Sequence, residues 1–555
     1  MTIAPDLLAD LRVPSAYPHA PSAVDVVQTH ISCVFLAGDQ VFKVKKPVRF
    51  TFLDFSTLER RRHFCEEEVR LNRRLAAEVY LDVVPIVRTA KGHRVGGPGV
   101  PVEYAVHMRR LPNERLLRAV LERGEADRDL IGRIAAKMAA FHATADSGPE
   151  VAAAGTPEEL RRTLDGNFAS LMPHAALFAP MERSAAVDRH AAGRHMDTAV
   201  EGGTALEELR VLLETALARV NATLRARAAA GRVRDGHGDL RPDHICCTET
   251  LPIIDCVEFS ARLRACDVAS EMAFLASELD FHAVPELADA LIDAYVRASG
   301  DAELPTVVPF FRTYRAQVRT MVAALTAAEP EVDAAPRARA RDDARRYLAL
   351  AVCRGWRAQG AFLVAIAGRS GTGKSTLARA LGAHTGLAVV RSDLVRKRLA
   401  GLPPDARPTG TEEIARLYSP ARSEAVYAAL ADEAARACVA GEAIILDATF
   451  QRVADRDRIR AVAVRTRTPL FWIECRAATP TVRQRLVERA RRDDDPSDAT
   501  PAVADEQARR FEPLTEGTEP RLVLTTDADD DPLATARGWL LERLRTAMDR
   551  TEGAW

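Results

Sequence analysis

The fold of the C-terminal part is decided by the stretch Gly368-Arg369-Ser370-Gly371-Thr372-Gly373-Lys374-Ser375. It has two glycines with four residues between them, then lysine and serine, which is the pattern of a phosphate-binding loop. The apolar run 362–367 before it predicts a buried parallel strand, and Thr376 after it begins a predicted helix. Backbone N–H groups at the start of such a helix bind nucleotide phosphates together with Lys374, and the Ser375 hydroxyl binds Mg²⁺. We therefore assign the residues from Gly368 to Thr376 to ATP, or GTP, with Mg²⁺.

Lysine is rare in this chain, which argues against a chance match to the loop pattern. Of the 77 Lys and Arg residues, seven are lysines, at positions 43, 45, 46, 91, 137, 374 and 397. The alternative, a glycine-rich turn without a nucleotide, does not account for a lysine placed between a predicted strand and a predicted helix.

Size and composition limit the class of protein. At 555 residues the chain is long enough for two or more domains. The net charge of −1 gives no electrostatic basis for binding nucleic acid or an anionic membrane surface. The nine cysteines are scattered without a Cys-x-x-Cys pair, so neither disulfides nor a zinc site are indicated. Asp6 and Asp10 stand where a signal peptide would need basic and apolar residues, and we expect a cytoplasmic protein with no membrane partner.

The N-terminal half places a lysine near an acidic helix. Residues 26–46 predict a β-hairpin with Lys43 in its second strand. Residues 56–75 predict an amphipathic helix that carries Glu67 and Glu68. Lysines in strands often only protect an exposed edge, but an acidic helix after the strand indicates an ion pair.

A second motif follows a long helical region. It reads His237-Gly238-Asp239-Leu240-Arg241-Pro242-Asp243-His244, and after it the apolar run 251–254 predicts a strand that ends at Asp255. Together with the lysine strand and the acidic helix, this motif resembles the catalytic loop and metal-binding strand of aminoglycoside phosphotransferases and, more distantly, of protein kinases.

The resemblance implies a role for each matching residue. Asp239 would accept the proton of the acceptor hydroxyl, and Asp255 would hold Mg²⁺ on the ATP phosphates. Lys43 would bind the α- and β-phosphates and would be held by Glu67 or Glu68. His237 and Asp267 would support the loop, and Arg241 would contact the transferred phosphoryl group.

Two departures from the pattern of that family leave a second interpretation open. His244 stands where the family has an asparagine as metal ligand, and neutral imidazole is a weaker partner than oxygen for Mg²⁺. The residues 29–32 replace the glycine-rich cover of the nucleotide. The N-terminal half is therefore either a second active site, with His244 and Asp255 at the metal, or a catalytically inactive substrate-binding or regulatory module.

Strands alternate with helices in the C-terminal part, which predicts a doubly wound parallel sheet. The predicted strands are 362–367, 387–390, 443–446, 470–474 and 521–524. Asp447 follows the third strand directly, and beside a phosphate loop it is the expected second metal ligand.

Arginines crowd a predicted helix near the C-terminus, at positions 483, 485, 489, 491 and 492. Such a run is usually a solvated helix face. Here it resembles the arginine-bearing lid of small P-loop kinases, which implies that Arg485 and Arg489 contact the charge that develops during phosphoryl transfer.

Asp393 and Arg396 lie three residues apart at the start of another predicted helix. They are either a helix-capping acid with an incidental base or an acceptor site. The segment resembles the acceptor side of polynucleotide 5′-kinases, gluconate kinase and chloramphenicol phosphotransferase. This resemblance implies that Asp393 activates the acceptor hydroxyl and that Arg396 binds the acceptor. Lys374 would bind the nucleotide phosphates beside them.

Taken together, the resemblances identify an α/β multidomain chain that fuses an aminoglycoside-phosphotransferase-like, kinase-like domain to a P-loop kinase domain of the AAA-family ATPase type. We expect a mobile start at 1–25, the kinase-like domain at 26–326, a charged helical connector at 327–357 and the P-loop kinase domain at 358–555.

The expected function is ATP- and Mg²⁺-dependent phosphoryl transfer to a small hydroxylated acceptor, such as a sugar, an aminoglycoside-like compound or a nucleoside. Nucleic acid is a less favoured partner. The alternatives for the C-terminal part are a polynucleotide 5′-kinase-like enzyme and an NTP-driven switch. The acceptor, any coupling between the two sites and the oligomeric state stay open at this point.

Overall fold

A computed structural model of the chain describes residues 3–50, 53–178, 202–406, 411–492, 501–514, 517 and 519–552. These residues form two compact α/β units. Unit 1 comprises Met1–Gly166 and Val220–Ala316, and unit 2 comprises Asn167–Arg219 and Gln317–Trp555. The domain boundaries expected from the sequence, at residues 326 and 357, stay a prediction. Within the described ranges, every helix is too short or too polar to span a lipid bilayer.

Unit 1 begins with a strand-rich part. Its elements are α1 (Pro5–Asp10), β1 (Val24–Gln28), β2 (Ser32–Ala37), β3 (Gln40–Lys45), β4 (Arg49–Phe50), β5 (Leu53–Asp54), α2 (Leu58–Ala76), β6 (Tyr80–Thr89), β7 (Gly92–Val95) and β8 (Pro101–Arg109). Six strands form one antiparallel sheet in the order β1-β2-β3-β8-β6-β7. The predicted hairpin is the β2–β3 pair, in which Val34 lies opposite Lys43.

The part that follows is mainly helical. Its elements are α3 (Leu117–Glu122), α4 (Arg128–Thr144), α5 (Pro149–Ala154), α6 (Pro157–Leu171), α7 (Gly202–Ala229), β9 (Val233–Asp235), α8 (Ala261–Arg264), β10 (Ala265–Asp267), α9 (Val268–Phe281), α10 (Pro285–Ser299) and α11 (Leu304–Ala328). The division between the units falls within α6, α7 and α11. Short 3₁₀ helices lie at Pro14–Ala16, Asn113–Arg115, Met172–Phe178 and Pro242–His244.

The start of the chain differs from the mobile segment expected at 1–25. Leu7, Leu11 and Tyr17 are buried in the same apolar cluster as Phe35 and Phe42 of the sheet. Leu7 and Leu11 are four residues apart, which places them on one face of α1 and its end. The segment is thus ordered because it covers one side of the sheet.

The apolar run 251–254 also differs from its prediction. Only Ile253 pairs, through an isolated antiparallel bridge with Ile245, so the run is not a full strand. Leu251 and Asp255 both have a positive φ, 52° and 63°, and the chain turns sharply at these two residues. The turns leave too few extended residues for a ladder of hydrogen bonds.

Unit 2 alternates strands and helices as predicted. Its further elements are α12 (Ala334–Arg357), β11 (Leu363–Ala367), α13 (Lys374–Thr385), β12 (Ala388–Arg391), α14 (Ser392–Leu399), α15 (Thr411–Leu417), α16 (Pro420–Val439), β13 (Ile444–Asp447), α17 (Val453–Thr466), β14 (Leu470–Arg476), α18 (Thr479–Arg492), α19 (Pro501–Arg510), β15 (Arg521–Thr525) and α20 (Pro532–Glu552). The five strands form a parallel sheet in the order β12-β13-β11-β14-β15.

The centre of this sheet is fully buried. All five residues of β11 are inaccessible to solvent, as expected for a parallel strand covered on both faces. The carboxyl ends of parallel strands meet at one edge, where ligands of open α/β sheets bind. The phosphate loop after β11 lies at this edge, next to Asp447 at the end of β13.

Helix α12 covers most of the charged connector expected at 327–357. Its polar first half fits that expectation, but Tyr347, Leu348 and Trp356 of its second half are buried. The helix is therefore also part of the core of unit 2.

Candidate active sites

The phosphate loop of unit 2 requires its glycines. Gly368 has a φ of 139°, and a Cβ there would come within 2.4 Å of the Cys475 carbonyl oxygen. Gly373, with a φ of 86°, is the residue from which α13 begins at Lys374. The largely buried Lys374 donates from Nζ to the Arg369 carbonyl oxygen, at 3.0 Å, across the loop. This loop can surround an anion with backbone N–H groups at the start of a helix.

The predicted metal ligands of unit 2 lie side by side. The Ser375 hydroxyl hydrogen-bonds to Asp447, which is 3% exposed, and Arg391 Nε lies 3.3 Å from Asp447 Oδ2. Burial raises the pKa of Asp447 above its usual value, although Lys374 and Ser375 act in the opposite direction. A hydroxyl and a carboxylate are hard oxygen donors, so these residues fit Mg²⁺.

A cavity of about 1280 Å³ connects the phosphate loop with the predicted acceptor residues. Its lining includes Ser370, Gly371, Gly373, Lys374, Ser375, Thr376, Ser392, Asp393, Arg396, Asp447 and Arg485. Asp393 lies in the first turn of α14, directly after β12. The structure thus brings Asp393 to the same cavity as Lys374, Ser375 and Asp447.

The side chain of Arg396 is held in place by contacts with Leu417 and Tyr418. Its Nη1 donates to the Leu417 carbonyl oxygen at 3.1 Å, and its guanidinium lies 4.6 Å from the ring centre of Tyr418. These contacts fix the side chain in the wall of the cavity. Its role in binding the acceptor stays a prediction.

One lid arginine contacts the loop region through a threonine. Arg485 donates to the hydroxyl and the carbonyl oxygen of Thr526, at 2.9 and 3.0 Å, and the Thr526 hydroxyl donates to the Thr372 carbonyl oxygen. The side chain of Arg489, the other predicted lid arginine, lies outside the described residues.

Gln507 is a residue of the site that no sequence pattern indicated, and it accepts a hydrogen bond from Ser370 N–H at 2.8 Å. It lies on α19, 137 residues after the loop, and no motif marks it.

In unit 1, Lys43 bridges two acids. Its Nζ lies 2.8 Å from Glu68 Oε1 and 2.7 Å from Asp255 Oδ1. The sequence left Glu67 and Glu68 as alternatives, and the structure selects Glu68. Adjacent helix positions point about 100° apart, and Glu67 instead pairs with the exposed Arg70.

These contacts shift the ionisation of all three groups. Burial alone would raise the pKa of Glu68, but the ammonium groups of Lys43 and Lys45 lower it below its usual value. Burial would also raise the pKa of Asp255, and Lys43 and His244 lower it instead. Burial would lower the pKa of Lys43, whereas Asp255 and Glu68 raise it well above the usual value. The three side chains are therefore charged at neutral pH.

A second lysine of β3 extends this cluster. Lys45 is fully buried and lies 2.7 Å from Glu68 Oε2, and it also pairs with Glu258. Neither Lys45 nor Glu258 belongs to a motif that the sequence pattern indicated. The strand period offered a signal, because residues 43 and 45 lie on the same face of β3.

The loop around Asp239 is supported from beneath. His237 is fully buried, and its Nε2 donates to the Ile254 carbonyl oxygen at 2.8 Å. Glu271 accepts from the backbone N–H groups of His237 and Gly238. Asp267 forms a buried ion pair with Arg227 at 2.8 Å. His237 thus lies beneath the loop, whereas the ion pair of Asp267 joins it to Arg227 of α7, and the support of the loop by Asp267 stays a prediction.

Asp239 and His244 both contact the guanidinium group of Arg241. Arg241 Nε donates to both carboxylate oxygens of Asp239, at 2.9 and 3.0 Å, and its Nη2 lies 3.1 Å from His244 Nε2. His244 Nε2 in turn is 3.5 Å from Asp255 Oδ2. Asp239, His244 and Asp255 therefore form one continuous group with Lys43 and Glu68.

Comparison with known proteins finds two domain matches. Residues 37–311 match the model of the phosphotransferase enzyme family, and residues 363–514 match the model of an AAA domain. The two matches confirm the predicted order of a kinase-like domain followed by a P-loop kinase-like domain.

One relative is similar over most of its length. The uncharacterized protein Rv2004c of Mycobacterium tuberculosis is 30% identical over 488 residues, which are 88% of this chain and 90% of that protein.

Two solved structures align with parts of the chain. A choline/ethanolamine kinase family protein from Mesorhizobium loti is 14% identical and covers 62% of this chain and 98% of its own, with a TM-score of 0.34. A gluconokinase from Sinorhizobium meliloti is 17% identical and covers 34% of this chain and 95% of its own, with a TM-score of 0.24.

Proposed function

The chain belongs to the family of the mycobacterial protein Rv2004c, with a phosphotransferase enzyme family domain followed by an AAA domain, and on this premise we propose that it is an ATP- and Mg²⁺-dependent kinase. Its acceptor is the hydroxyl group of a small molecule, such as a sugar, an aminoglycoside-like compound or a nucleoside. Unit 2 is the principal active site, and unit 1 is a second one.

One observation carries the proposal for unit 2. Lys374, Ser375 and Asp447, which suit a nucleotide with its metal, line the same cavity as Asp393. A kinase needs both sets in one water-restricted space, because the acceptor hydroxyl must lie in line with the γ-phosphate. A nucleotide switch would need only the first set.

Each side chain of unit 2 then has a defined task. Lys374 and the loop N–H groups hold the phosphates, and Mg²⁺ held by Ser375 and Asp447 would offset the negative charge of the phosphate oxygens. Asp393 accepts the hydroxyl proton as the acceptor oxygen attacks phosphorus. Arg485 stabilises the charge on the transferred group, and Arg396 binds the acceptor.

The same chemistry is proposed for unit 1 with other residues. Lys43 binds the α- and β-phosphates and Glu68 orients it, while Asp255 and His244 hold the metal. Asp239 is the base for the acceptor hydroxyl. One observation favours the alternative of an inactive module, since Arg241 occupies both oxygens of Asp239.

Asp393→Asn tests the proposal for unit 2. We expect the ATP affinity of unit 2 to stay within about threefold of wild type, roughly 0.7 kcal/mol, and phosphorylation of the unit 2 acceptor to fall about a hundredfold or more. Mg·ATP titration and a product assay over sugars, aminoglycosides, nucleosides and oligonucleotides are run on the same preparations. Asp432→Asn, an exposed acid on α16, is the matched control and should change neither quantity.

The outcomes separate the competing functions. Lys374→Ala should lose ATP binding by unit 2 and the phosphorylation of the unit 2 acceptor together, and if Asp393→Asn does the same, Asp393 belongs to the nucleotide site and the acceptor role is wrong. ATP hydrolysis without any phosphorylated product would indicate an NTP-driven switch. Phosphorylation confined to oligonucleotides would indicate a polynucleotide 5′-kinase-like enzyme.

A further inference from the structure

The hydrogen bonds of His244 fix the tautomer of its imidazole ring. Nδ1 lies 2.8 Å from the Asp239 carbonyl oxygen, which can only accept, so Nδ1 carries the proton. Nε2 lies 3.1 Å from Arg241 Nη2, which can only donate, so Nε2 offers its lone pair. In this tautomer the lone pair of Nε2, which now faces the Arg241 N–H, is the one that can bind a metal ion. A backbone carbonyl on the other nitrogen is the usual support of a metal-binding histidine.

This lone pair lies beside the carboxylate that the proposed function places on the metal. His244 Nε2 is 3.5 Å from Asp255 Oδ2. Two ligands of one ion, at bond lengths near 2.1 Å, lie about 3.0–3.5 Å apart, depending on the coordination geometry. His244 is 7% exposed, and its backbone hydrogen-bonds to Arg241 and Ile254, so the ring has little freedom to turn away.

Two cationic side chains already contact these donor atoms. Arg241 covers His244 Nε2, and Lys43 lies 2.7 Å from Asp255 Oδ1. The surroundings therefore favour positive charge at this position. The proposed function assigns Lys43 to phosphate, and the family resemblance implies that Arg241 contacts the transferred phosphoryl group. Each would therefore exchange its present contact for a phosphate oxygen when a metal–nucleotide complex binds.

We infer that unit 1 binds its nucleotide through a divalent first-row transition-metal ion such as Mn²⁺, held by His244 Nε2 and Asp255, whereas unit 2 uses Mg²⁺. Imidazole nitrogen is a good ligand for such ions and a poor one for Mg²⁺, which prefers an all-oxygen shell like that of Ser375 and Asp447. The inference rests on the proposed function of unit 1, because the remaining ligands must come from the nucleotide. Among the described residues, no group of three or more histidine, cysteine or acidic side chains is placed to bind a metal by itself.

The test uses the full chain carrying Lys374→Ala, so that nucleotide binding reports on unit 1. The protein is labelled with ¹⁵N, loaded with Mn²⁺ and unlabelled ADP, and studied by pulsed electron paramagnetic resonance. We expect ¹⁵N coupling from a directly bound protein nitrogen, and its loss in His244→Asn. In parallel, dissociation constants for ADP are measured with Mn²⁺ and with Mg²⁺. His244→Asn should shift the preference for Mn²⁺ over Mg²⁺ about tenfold towards Mg²⁺.

Asp255→Asn is the matched control, because loss of an oxygen ligand should weaken ADP binding with both metals and keep the ¹⁵N coupling of any Mn²⁺ that remains bound. If Mn·ADP binds without ¹⁵N coupling, or if His244→Asn leaves the preference unchanged within twofold, the inference is wrong while the proposed function of unit 1 stands. If the Lys374→Ala chain binds no ADP with either metal, both are wrong.

Discussion

At the scale of single residues, Glu271 shows how a buried acid supports the Asp239 loop. It accepts hydrogen bonds from the backbone of His237 and Gly238, and His142 Nε2 contacts its other oxygen at 2.8 Å. Burial would raise its pKa, but the contacts with His142, His237 and Gly238 lower it to about 2. The charged carboxylate is therefore what holds the loop.

Acid should weaken unit 1 through this residue. A folded-state pKa of about 2, against the usual 4.5, contributes stability that is complete above pH 4.5 and is lost as the pH falls towards 2. The difference corresponds to about 3 kcal/mol. Glu271→Gln should lower the protection of the backbone amides of residues 237–244 against hydrogen exchange at pH 7. It should also make this protection less dependent on pH between 5 and 2. Hydrogen exchange measured by mass spectrometry checks this, and an equally steep pH dependence in the variant would contradict it.

At the scale of elements, β3 places two lysines in a buried acidic cluster. Lys43 and Lys45 share a face of the strand, and Glu68 of α2 forms ion pairs with both. Burial raises the pKa of Glu258, while its contact with Lys45 acts in the opposite direction. Lys45 thus joins β3 to α2 and to the segment after Asp255, and we interpret it as a positioning residue for Lys43 and Glu68.

Removing the charge of Lys45 should lower the stability of unit 1 far more than removing the charge of Lys46. Lys45→Met leaves Glu68 and Glu258 buried with one cation fewer and should destabilise unit 1 by about 3–5 kcal/mol. The control is Lys46→Met, because Lys46 is also buried but donates to a neutral group, the Thr29 carbonyl oxygen. It should cost about 1 kcal/mol. Urea unfolding followed by hydrogen exchange of β3 and α2 measures both, and equal losses would show that the ion pairs do not carry the stability.

Local sequence pattern predicted most of the elements and several residues of the two candidate sites. The apolar run 387–390, for example, differs from β12 (Ala388–Arg391) by one residue at each end, because a buried strand is defined by its own side chains. Lys43 and Glu68 could also be predicted from the sequence, since a lysine strand followed by an acidic helix is a local signal.

Contacts between segments that are distant in the sequence could not be predicted from local pattern. Lys45 and Glu258 are 213 residues apart, and Ser370 and Gln507 are 137 apart. Each pair depends on how separate elements pack, which no local period encodes. The buried start of the chain was missed for the same reason, because its leucines become core residues only when the sheet is present.

At the scale of the whole molecule, unit 2 contains a segment from the first half of the sequence. Glu208 of α7 is buried and accepts hydrogen bonds from Trp356 Nε1 at 2.7 Å and from His384 Nε2 at 2.9 Å. Arg537 Nη1 lies 3.4 Å from its other oxygen. His384 lies in the last turn of α13, the helix whose first residue is Lys374. One buried carboxylate therefore holds α12, α20 and the far end of the phosphate-loop helix.

This arrangement predicts that the sequence-derived boundary at residue 358 does not yield an independent domain. A fragment 358–555 lacks Glu208, which leaves His384 and Arg537 without their shared anion, a loss of about 3–5 kcal/mol. It also lacks the buried Leu209 and Leu212, each worth about 1.5–3 kcal/mol, and the Leu212 carbonyl oxygen to which Gln359 donates. The sum is comparable to the whole stability of a typical domain, about 5–15 kcal/mol.

We therefore expect the fragment 358–555 to aggregate or to unfold without a cooperative transition, as measured by gel filtration and by tryptophan fluorescence on heating. The full chain with Glu208→Gln provides a milder test, because the amide keeps the shape of the carboxylate and loses its charge. It should lower the unfolding temperature of unit 2 while its Mg·ATP affinity, measured below that temperature, stays within about threefold of wild type. A soluble, monodisperse fragment that unfolds cooperatively and binds Mg·ATP like the full chain would show that the segment containing Glu208 is dispensable, and the boundary at residue 358 would then be the correct one.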